Sequence, residues 1–184
     1  MGKTILITGG IRSGKSSQAV KIAHSQEGKI AFIATAIPFD KEMKERVKQH
    51  QASRPQEWHL IEEGKEVASA LSSLEKKYDI ALIDCLGLFI TNLLLDNLTA
   101  ETIKKRVKLL VNTIKKTNLL TIIVSNEVGL GLIPDNKLGR DFCDLLGFTN
   151  QEIAKIADEV ILMVSGIPTK IKNKREMIKK RNRQ

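Results

Sequence analysis

Three groups of residues have the types and spacing to do chemistry. The first is Gly9-Gly10-Ile11-Arg12-Ser13-Gly14-Lys15-Ser16, which fits the phosphate-binding loop pattern of glycine, four residues, then Gly-Lys-Ser. Glycines let backbone N–H groups turn inward and approach phosphate oxygens closely. A helix opening at Lys15 adds free N–H groups and a partial positive charge. Lys15 supplies a full charge to the β- and γ-phosphates, and the Ser16 hydroxyl is placed to reach Mg²⁺. The second is Asp84, at the end of the apolar run Ile80-Ala81-Leu82-Ile83. An acid in that position can hold Mg²⁺ directly or through water; the plainer reading is a helix cap. The third is Arg46, His50 and Arg54. On a helix, Arg46 and His50 are i,i+4 neighbours on one face, with Arg54 just past the end. Two guanidiniums flanking one imidazole are suited to holding a phosphate. Neighbouring cations favour a neutral His50 ring, whereas a helix C-terminus favours the charged one. A neutral ring is nucleophilic, so one reading of His50 is a covalent histidine–nucleotide intermediate; the other is a structural or solvated histidine. His24 and His59 have no such company.

These groups need elements to position them. Thr4–Thr8 reads as an apolar strand running into the loop, and Lys15 to about Ser25 as the helix after it. Ile30–Ala34 is a short continuous apolar run, as expected of a buried parallel strand. Thr35-Ala36-Ile37-Pro38 leaves its carboxyl end, where ligands sit in open α/β sheets. Asp40 is placed to cap a helix over 41–53, and Pro55 takes Arg54 out of helical geometry. Glu57–Ile61 is a weaker strand candidate. The pattern predicts a helix over 64–77, a strand over 78–84, a helix over 86–95, and a long helix over 100–116 capped by Thr99. A buried strand over 118–125 leads into the polar, glycine-bearing loop Asn126-Glu127-Val128-Gly129-Leu130-Gly131. A helix over 140–158 follows, with a break at Gly147 as an option, and the last predicted strand is Val160–Val164, ended by Ser165-Gly166. Strands alternate with helices throughout, which predicts a doubly wound, mostly parallel sheet with helices on both faces: a P-loop NTPase-like α/β fold.

The chain has 184 residues, expected to form one catalytic domain over 1–171 and a basic tail over 172–184. Its net charge of +9 suggests nucleic acid until it is located. Residues 170–184 carry eight Lys/Arg against Glu176, a net +7, which leaves +2 for the preceding 169 residues. No aromatic residues interleave with the basic ones to stack bases, so nucleic acid is not an expected partner. No membrane span or signal peptide is expected. Cys85 and Cys143 sit in apolar surroundings and read as small buried residues, in keeping with a reducing cytoplasm. At this level a plain P-loop small-molecule kinase remains open, as does a nucleotide-regulated binding protein docking through its tail.

Several blocks occur together in order: the loop from Gly9 to Ser16, Ile33-Ala34-Thr35-Ala36, Arg46-Val47-Lys48-Gln49-His50-Gln51-Ala52-Ser53-Arg54-Pro55, Thr91-Asn92-Leu93-Leu94, Ser125–Pro134 and Val164-Ser165-Gly166. In these the chain, from about Lys3 to Ile171, resembles the bifunctional adenosylcobinamide kinase / adenosylcobinamide-phosphate guanylyltransferase family of cobalamin biosynthesis. The resemblance implies phosphorylation of adenosylcobinamide by a nucleoside triphosphate, ATP or GTP. It then implies transfer of GMP from GTP, through a guanylyl-histidine at His50, to adenosylcobinamide phosphate, with adenosylcobinamide-GDP and pyrophosphate as products. It places the GTP contacts on Gly9, Gly10, Ile11, Arg12, Ser13, Gly14, Lys15 and Ser16, on Ala34, Thr35 and Ala36, on Gln51, Ala52, Ser53 and Arg54, and on Glu62 and Asp84. Mg²⁺ would sit at Ser16 and Asp84, and the assembly would be a homotrimer. Where some members carry two adjacent histidines, this chain has Gln49 before a single His50. Ile11 stands where a smaller residue is common and is expected to face outward. Asn126 and Glu127 are suited to placing substrate or metal, or to a structural loop.

Overall fold

The computed structural model describes residues 2–37 and 57–174. The predicted helix over 41–53, with Asp40, Arg46, His50, Gln51, Ala52, Ser53 and Arg54, lies outside the described residues. The apolar runs become strands because such a run has no polar face and must be covered on both sides. They are β1 (Thr4–Gly9), β2 (Ile30–Ala34), β3 (His59–Glu62), β4 (Ile80–Asp84), β5 (Leu120–Val124) and β6 (Glu159–Val164), followed by β7 (Ile167–Asn173). They form one seven-stranded sheet in the order β3-β2-β4-β5-β1-β6-β7. All pairings are parallel except that of β6 with β7. β1 lies at the interior of the sheet between β5 and β6 and is buried along its whole length.

The helices are α1 (Lys15–His24), α2 (Val67–Ser73), α3 (Leu86–Leu95), α4 (Ala100–Lys116) and α5 (Lys137–Ile156). They divide unevenly. Ala19 and Ala23 of α1 pack with Ile5, Ile7, Phe32, Leu82 and Ile122 on one face. Leu71 of α2, Phe89 of α3, Leu110 of α4 and Leu146 of α5 pack with Leu6, Ile33, Ile83 and Ile123 on the other. The alternation of core partners along each strand follows from the period-2 pleat. In α4 the buried residues Ile103, Val107, Leu110, Val111 and Ile114 recur every three or four positions, and the predicted cap is present: Thr99 Oγ1 accepts the Thr102 N–H at 3.3 Å.

Three expectations need correction. The predicted last strand, Val160–Val164, is followed by β7, an antiparallel edge strand. Pro168 and two lysines, the second read as the start of the tail, hid it, yet both residue types are typical of strand edges. Its lysines, and Lys174 just past its end, are engaged: Lys170 Nζ lies 2.8 Å from Glu159, Lys174 Nζ 3.5 Å from Asp158, and Lys172 Nζ donates to Ala154 O at 2.7 Å at the end of α5. The helix predicted over 64–77 is shorter, because the Glu63 carboxylate takes the N–H groups of Lys65 and Glu66 (2.8 and 2.9 Å) before α2 starts, and Lys76 turns to φ 66° after it. Finally, α5 begins at Lys137, where Asn136 Oδ1 accepts the Gly139 N–H at 2.7 Å, and runs unbroken through Gly147.

Candidate functional site

The turn from β1 into α1 is built around glycine. Gly9 has φ 150°, and a Cβ there would fall 2.4 Å from Met163 O and 2.8 Å from Ser13 Oγ. Gly14, at φ 90°, occupies the N-cap position of α1 in the left-handed region and brings no side chain to the helix start. Arg12 is also left-handed, at φ 56°. Ile11 points outward, 87% exposed, as expected. Ser13 and Lys15 are buried while Ser16 is half-buried in the first turn of α1. Lys15 Nζ donates to Gly10 O at 2.6 Å, folding its ammonium back over the loop.

Two neighbouring loops brace this turn through backbone bonds. The Gly166 N–H donates to Ser13 O at 3.1 Å, so the tip of the β6–β7 hairpin rests against the loop. The Glu127 N–H donates to Gly9 O at 2.9 Å and ties in the loop after β5. That loop is itself held by α5: Asn150 Nδ2 donates to Asn126 O at 2.9 Å, and Ser125 Oγ donates to Asn150 Oδ1 at 2.5 Å. Asn126 and Glu127 therefore stand beside the phosphate loop. The Glu127 side chain accepts the Gly129 N–H at 2.8 Å, which gives it a structural part in its own loop.

On the other side of β5, at the end of β4, Asp84 lies in register with Ala34 of β2 and Val124 of β5. Burial holds Lys15 below the ordinary lysine range, and the charges of Cys85 and Asp84 oppose that shift. Cys85 is pushed up to about 12, by burial first and by the Asp84 charge second. Its thiol is thus neutral at pH 7. Thr35, fully buried, brackets the peptide after Asp84: its N–H donates to Asp84 O at 3.0 Å, its Oγ1 accepts the Cys85 N–H at 2.7 Å, and its hydroxyl donates to Cys85 O at 2.7 Å. Ala34 is buried and Ala36 half-buried, whereas Glu62, exposed at the end of β3, pairs in register with Ala34.

The sheet therefore brings Gly9–Ser16, Ala34–Ala36, Glu62 and Asp84 to the carboxyl ends of β1, β2, β3 and β4. His50 and the residues from Gln51 to Arg54 lie outside the described residues. Composition and motif reading passed over Asn92, Asn150 and Thr35's hydroxyl as bonding groups. Asn92 had one visible signal, a lone amide in the apolar run Leu86–Leu95. Asn150 had none, because its partners are 24 and 25 residues away.

Two solved structures share the fold. One is a prototypical ATPase from the type III secretion system of pathogenic bacteria, with TM-score 0.56 and 14% identity over 98% of this chain; this chain spans 54% of that one. The other is a protein of Pyrococcus horikoshii OT3, with TM-score 0.54 and 12% identity over 94% of this chain and 87% of that one. Similarity in sequence is more specific. The bifunctional adenosylcobalamin biosynthesis protein CobU of Escherichia coli is 32% identical over 180 residues, 91% of this chain and 99% of that protein. CobU of Salmonella typhimurium is 34% identical over 180 residues, with the same coverage. The bifunctional adenosylcobalamin biosynthesis protein CobP of Pseudomonas aeruginosa is 36% identical over 167 residues, 91% of this chain and 96% of that one. The model of one family, cobinamide kinase / cobinamide phosphate guanyltransferase, matches residues 5–171, a span that starts in β1 and ends in β7 and so takes in the whole nucleotide edge; the chain belongs to that family.

Proposed function

We propose that this enzyme of cobalamin biosynthesis runs both of its family's reactions at the edge formed by the phosphate loop and Asp84. The observation that carries the reading is a phosphate loop with a buried Lys15 at the same sheet edge as Asp84, the last residue of β4, in a chain matched to the family over 5–171. In the kinase step the aminopropanol hydroxyl of adenosylcobinamide attacks the γ-phosphorus of ATP or GTP, and the nucleoside diphosphate leaves. In the transferase step a nitrogen of His50 attacks the α-phosphorus of GTP. The bond to the β-phosphate oxygen breaks, pyrophosphate leaves, and GMP remains on the histidine. The phosphate of adenosylcobinamide phosphate then takes the GMP, giving adenosylcobinamide-GDP and freeing His50.

The roles of this chain's residues follow from chemistry. Lys15 and the N–H groups of Gly9–Ser16 offset charge on the β- and γ-phosphates, which in the second step form the leaving group. Arg54, with Arg46, would offset charge at the α-phosphate. Gln51, Ala52 and Ser53 join the nucleotide contacts by resemblance alone, as do Ala34, Thr35, Ala36 and Glu62. Ser16 and Asp84 fit Mg²⁺: both are hard oxygen donors beside the loop. The described residues hold no group of three or more His, Cys, Asp or Glu suited to a metal, so a dedicated cage is not the arrangement there, and Mg²⁺ shared with phosphate oxygens asks only for such a pair. Bound there, the ion would neutralise charge on the transferred and departing phosphates. A homotrimer in the cytoplasm completes the proposal. Among the described residues no helix is long and apolar enough to cross a membrane.

The test is incubation with GTP labelled at the α-phosphate. An acid-labile, alkali-stable label on the wild type that is lost in His50→Ala is the expected result, with phosphorylation of adenosylcobinamide retained in the variant. An unlabelled wild type sinks the transferase reading.

A further inference from the structure

The Thr91-Asn92-Leu93-Leu94 block has so far been given no task. Asn92 sits in α3, a helix whose other inward residues are Leu86, Phe89, Ile90 and Leu93, and it is 5% exposed. An amide in such surroundings is costly unless its hydrogens are used. Both are: Asn92 Nδ2 donates to Thr35 O at 2.8 Å and to Gly64 O at 3.0 Å. The fit is close on the Gly64 side, where a Cβ would fall 2.5 Å from Asn92 Nδ2 and 2.6 Å from Ile37 Cδ1. One side chain thus fixes the chain leaving β2 against the chain leaving β3. Thr35 passes that constraint on, since it brackets the peptide after Asp84 with three bonds. Asp84 ends β4, at the same sheet edge as the phosphate loop and two strands from β1.

We infer that Asn92 is a positioning residue: through Thr35 and the Asp84–Cys85 backbone it sets the Asp84 carboxylate against the phosphate loop. It touches neither nucleotide nor metal. The inference rests on the proposal that Asp84, with Ser16, holds Mg²⁺. The phosphate loop is braced separately, by Glu127 and Gly166, so loss of Asn92 should disturb the metal side of the site and leave the phosphate cradle in place.

The experiment measures GTP affinity in EDTA and in excess Mg²⁺ for the wild type, Asn92→Leu, Thr35→Val and the double variant, with turnover of both steps alongside. Leucine keeps the branched heavy-atom shape of asparagine among apolar neighbours and donates no hydrogen bond. For Asn92→Leu the expected result is metal-free affinity within about twofold of wild type, a metal-dependent gain that shrinks about tenfold or more, and a kcat that falls about tenfold to a hundredfold. Because the two residues act through one chain of bonds, the double variant should fall no further than the worse single one. Should Asn92→Leu not fold, Asn92→Ala, which removes the amide without adding an apolar branch, tests the same link with the same pattern expected. A metal-dependent gain retained in the Asn92 variant, an equal loss of its metal-free affinity, or multiplying effects in the double variant each overturn the inference. A wild type with no metal-dependent gain overturns the metal assignment and this inference with it. A wild type that binds Mg²⁺–GTP but takes no label and phosphorylates no cobinamide overturns the functional reading alone; the binding measurements then still decide on Asn92.

Discussion

Around Gly9–Ser16 the bracing contacts come from backbone groups: Glu127 N–H to Gly9 O, Gly166 N–H to Ser13 O, Ser13 N–H to Gly10 O. Around Asp84, two strands away across β5, side chains do most of the holding: Thr35 Oγ1 on Cys85, Asn92 Nδ2 on Thr35 and Gly64. The difference lies in what each half must offer. A phosphate cradle presents N–H groups and needs the chain to turn closely, so side chains are excluded and glycine is selected. A carboxylate must be held at one distance from a cation, so the peptide carrying it is gripped by groups of fixed length. The first half should therefore break when a side chain is added, and the second when a polar one is taken away.

The largest effect tests what the two halves share. Lys15→Ala should lower turnover in both steps by about a hundredfold to a thousandfold, read in steady-state assays. Its thermal midpoint should hold steady or rise, because burial of the ammonium lowers the Lys15 pKa and its charged form is a cost to the fold at neutral pH. A stability loss as large as the activity loss would show Lys15 to be structural. Gly9→Ala adds a Cβ 2.4 Å from Met163 O and should cost about 1–3 kcal/mol in urea unfolding, together with nucleotide affinity. Thr35→Val leaves the Cys85 N–H without its partner and should cost about 1–3 kcal/mol, with Thr35→Ser restoring most of it. If Thr35→Val instead matched the wild type, the contrast between the halves would fail.

The smallest effect belongs to neither half. Glu159 joins β1 to the edge hairpin, lying 2.6 Å from Lys3 Nζ and 2.8 Å from Lys170 Nζ. Burial alone would raise its pKa, but hydrogen bonds from Lys170 and Lys3 outweigh it and the net shift is downward. A depressed carboxylate stabilises the fold above its unfolded value of 4.5 and loses that contribution as pH falls through the lower, folded value. Glu159→Gln should accordingly be less stable than wild type at pH 7, by under about 1 kcal/mol, and the gap should close well below pH 4.5. A gap that widens in acid would reverse the assignment.

The same contrast explains what the sequence made legible. Glycines at fixed spacing announce the cradle, and apolar runs announce β1, β2, β4, β5 and β6, because both signals are local. α3 was predicted with its observed ends because nothing in 86–95 interrupts its apolar character. The clamp on Asp84 joins residues separated by 50 and 57 positions, and such bonds leave no period to read. Asn92 looked like an ordinary break in an apolar helix, and Thr35 like the residue after a strand. β7 escaped for another reason: Lys170, Lys172 and Lys174 match a solvated tail in composition, and only the partners Glu159, Ala154 O and Asp158 show them to be tied down.

The position of β1 has a consequence for biogenesis. The strand that carries the phosphate loop emerges from the ribosome well before its neighbours, since it pairs with β5 at Thr121–Val124 and with β6 at Glu159–Met163. Until Thr121–Val124 have been made, the six-residue segment TILITG therefore has neither neighbour to pair with. The bracing of the loop is not complete until Ser165-Gly166 has been made, so a nascent chain stalled before the last hairpin keeps only the Glu127 brace and should hold nucleotide weakly. Tight nucleotide capture would then report that synthesis has passed the hairpin, and the interval before it is when this segment is most open to aggregation or chaperone capture.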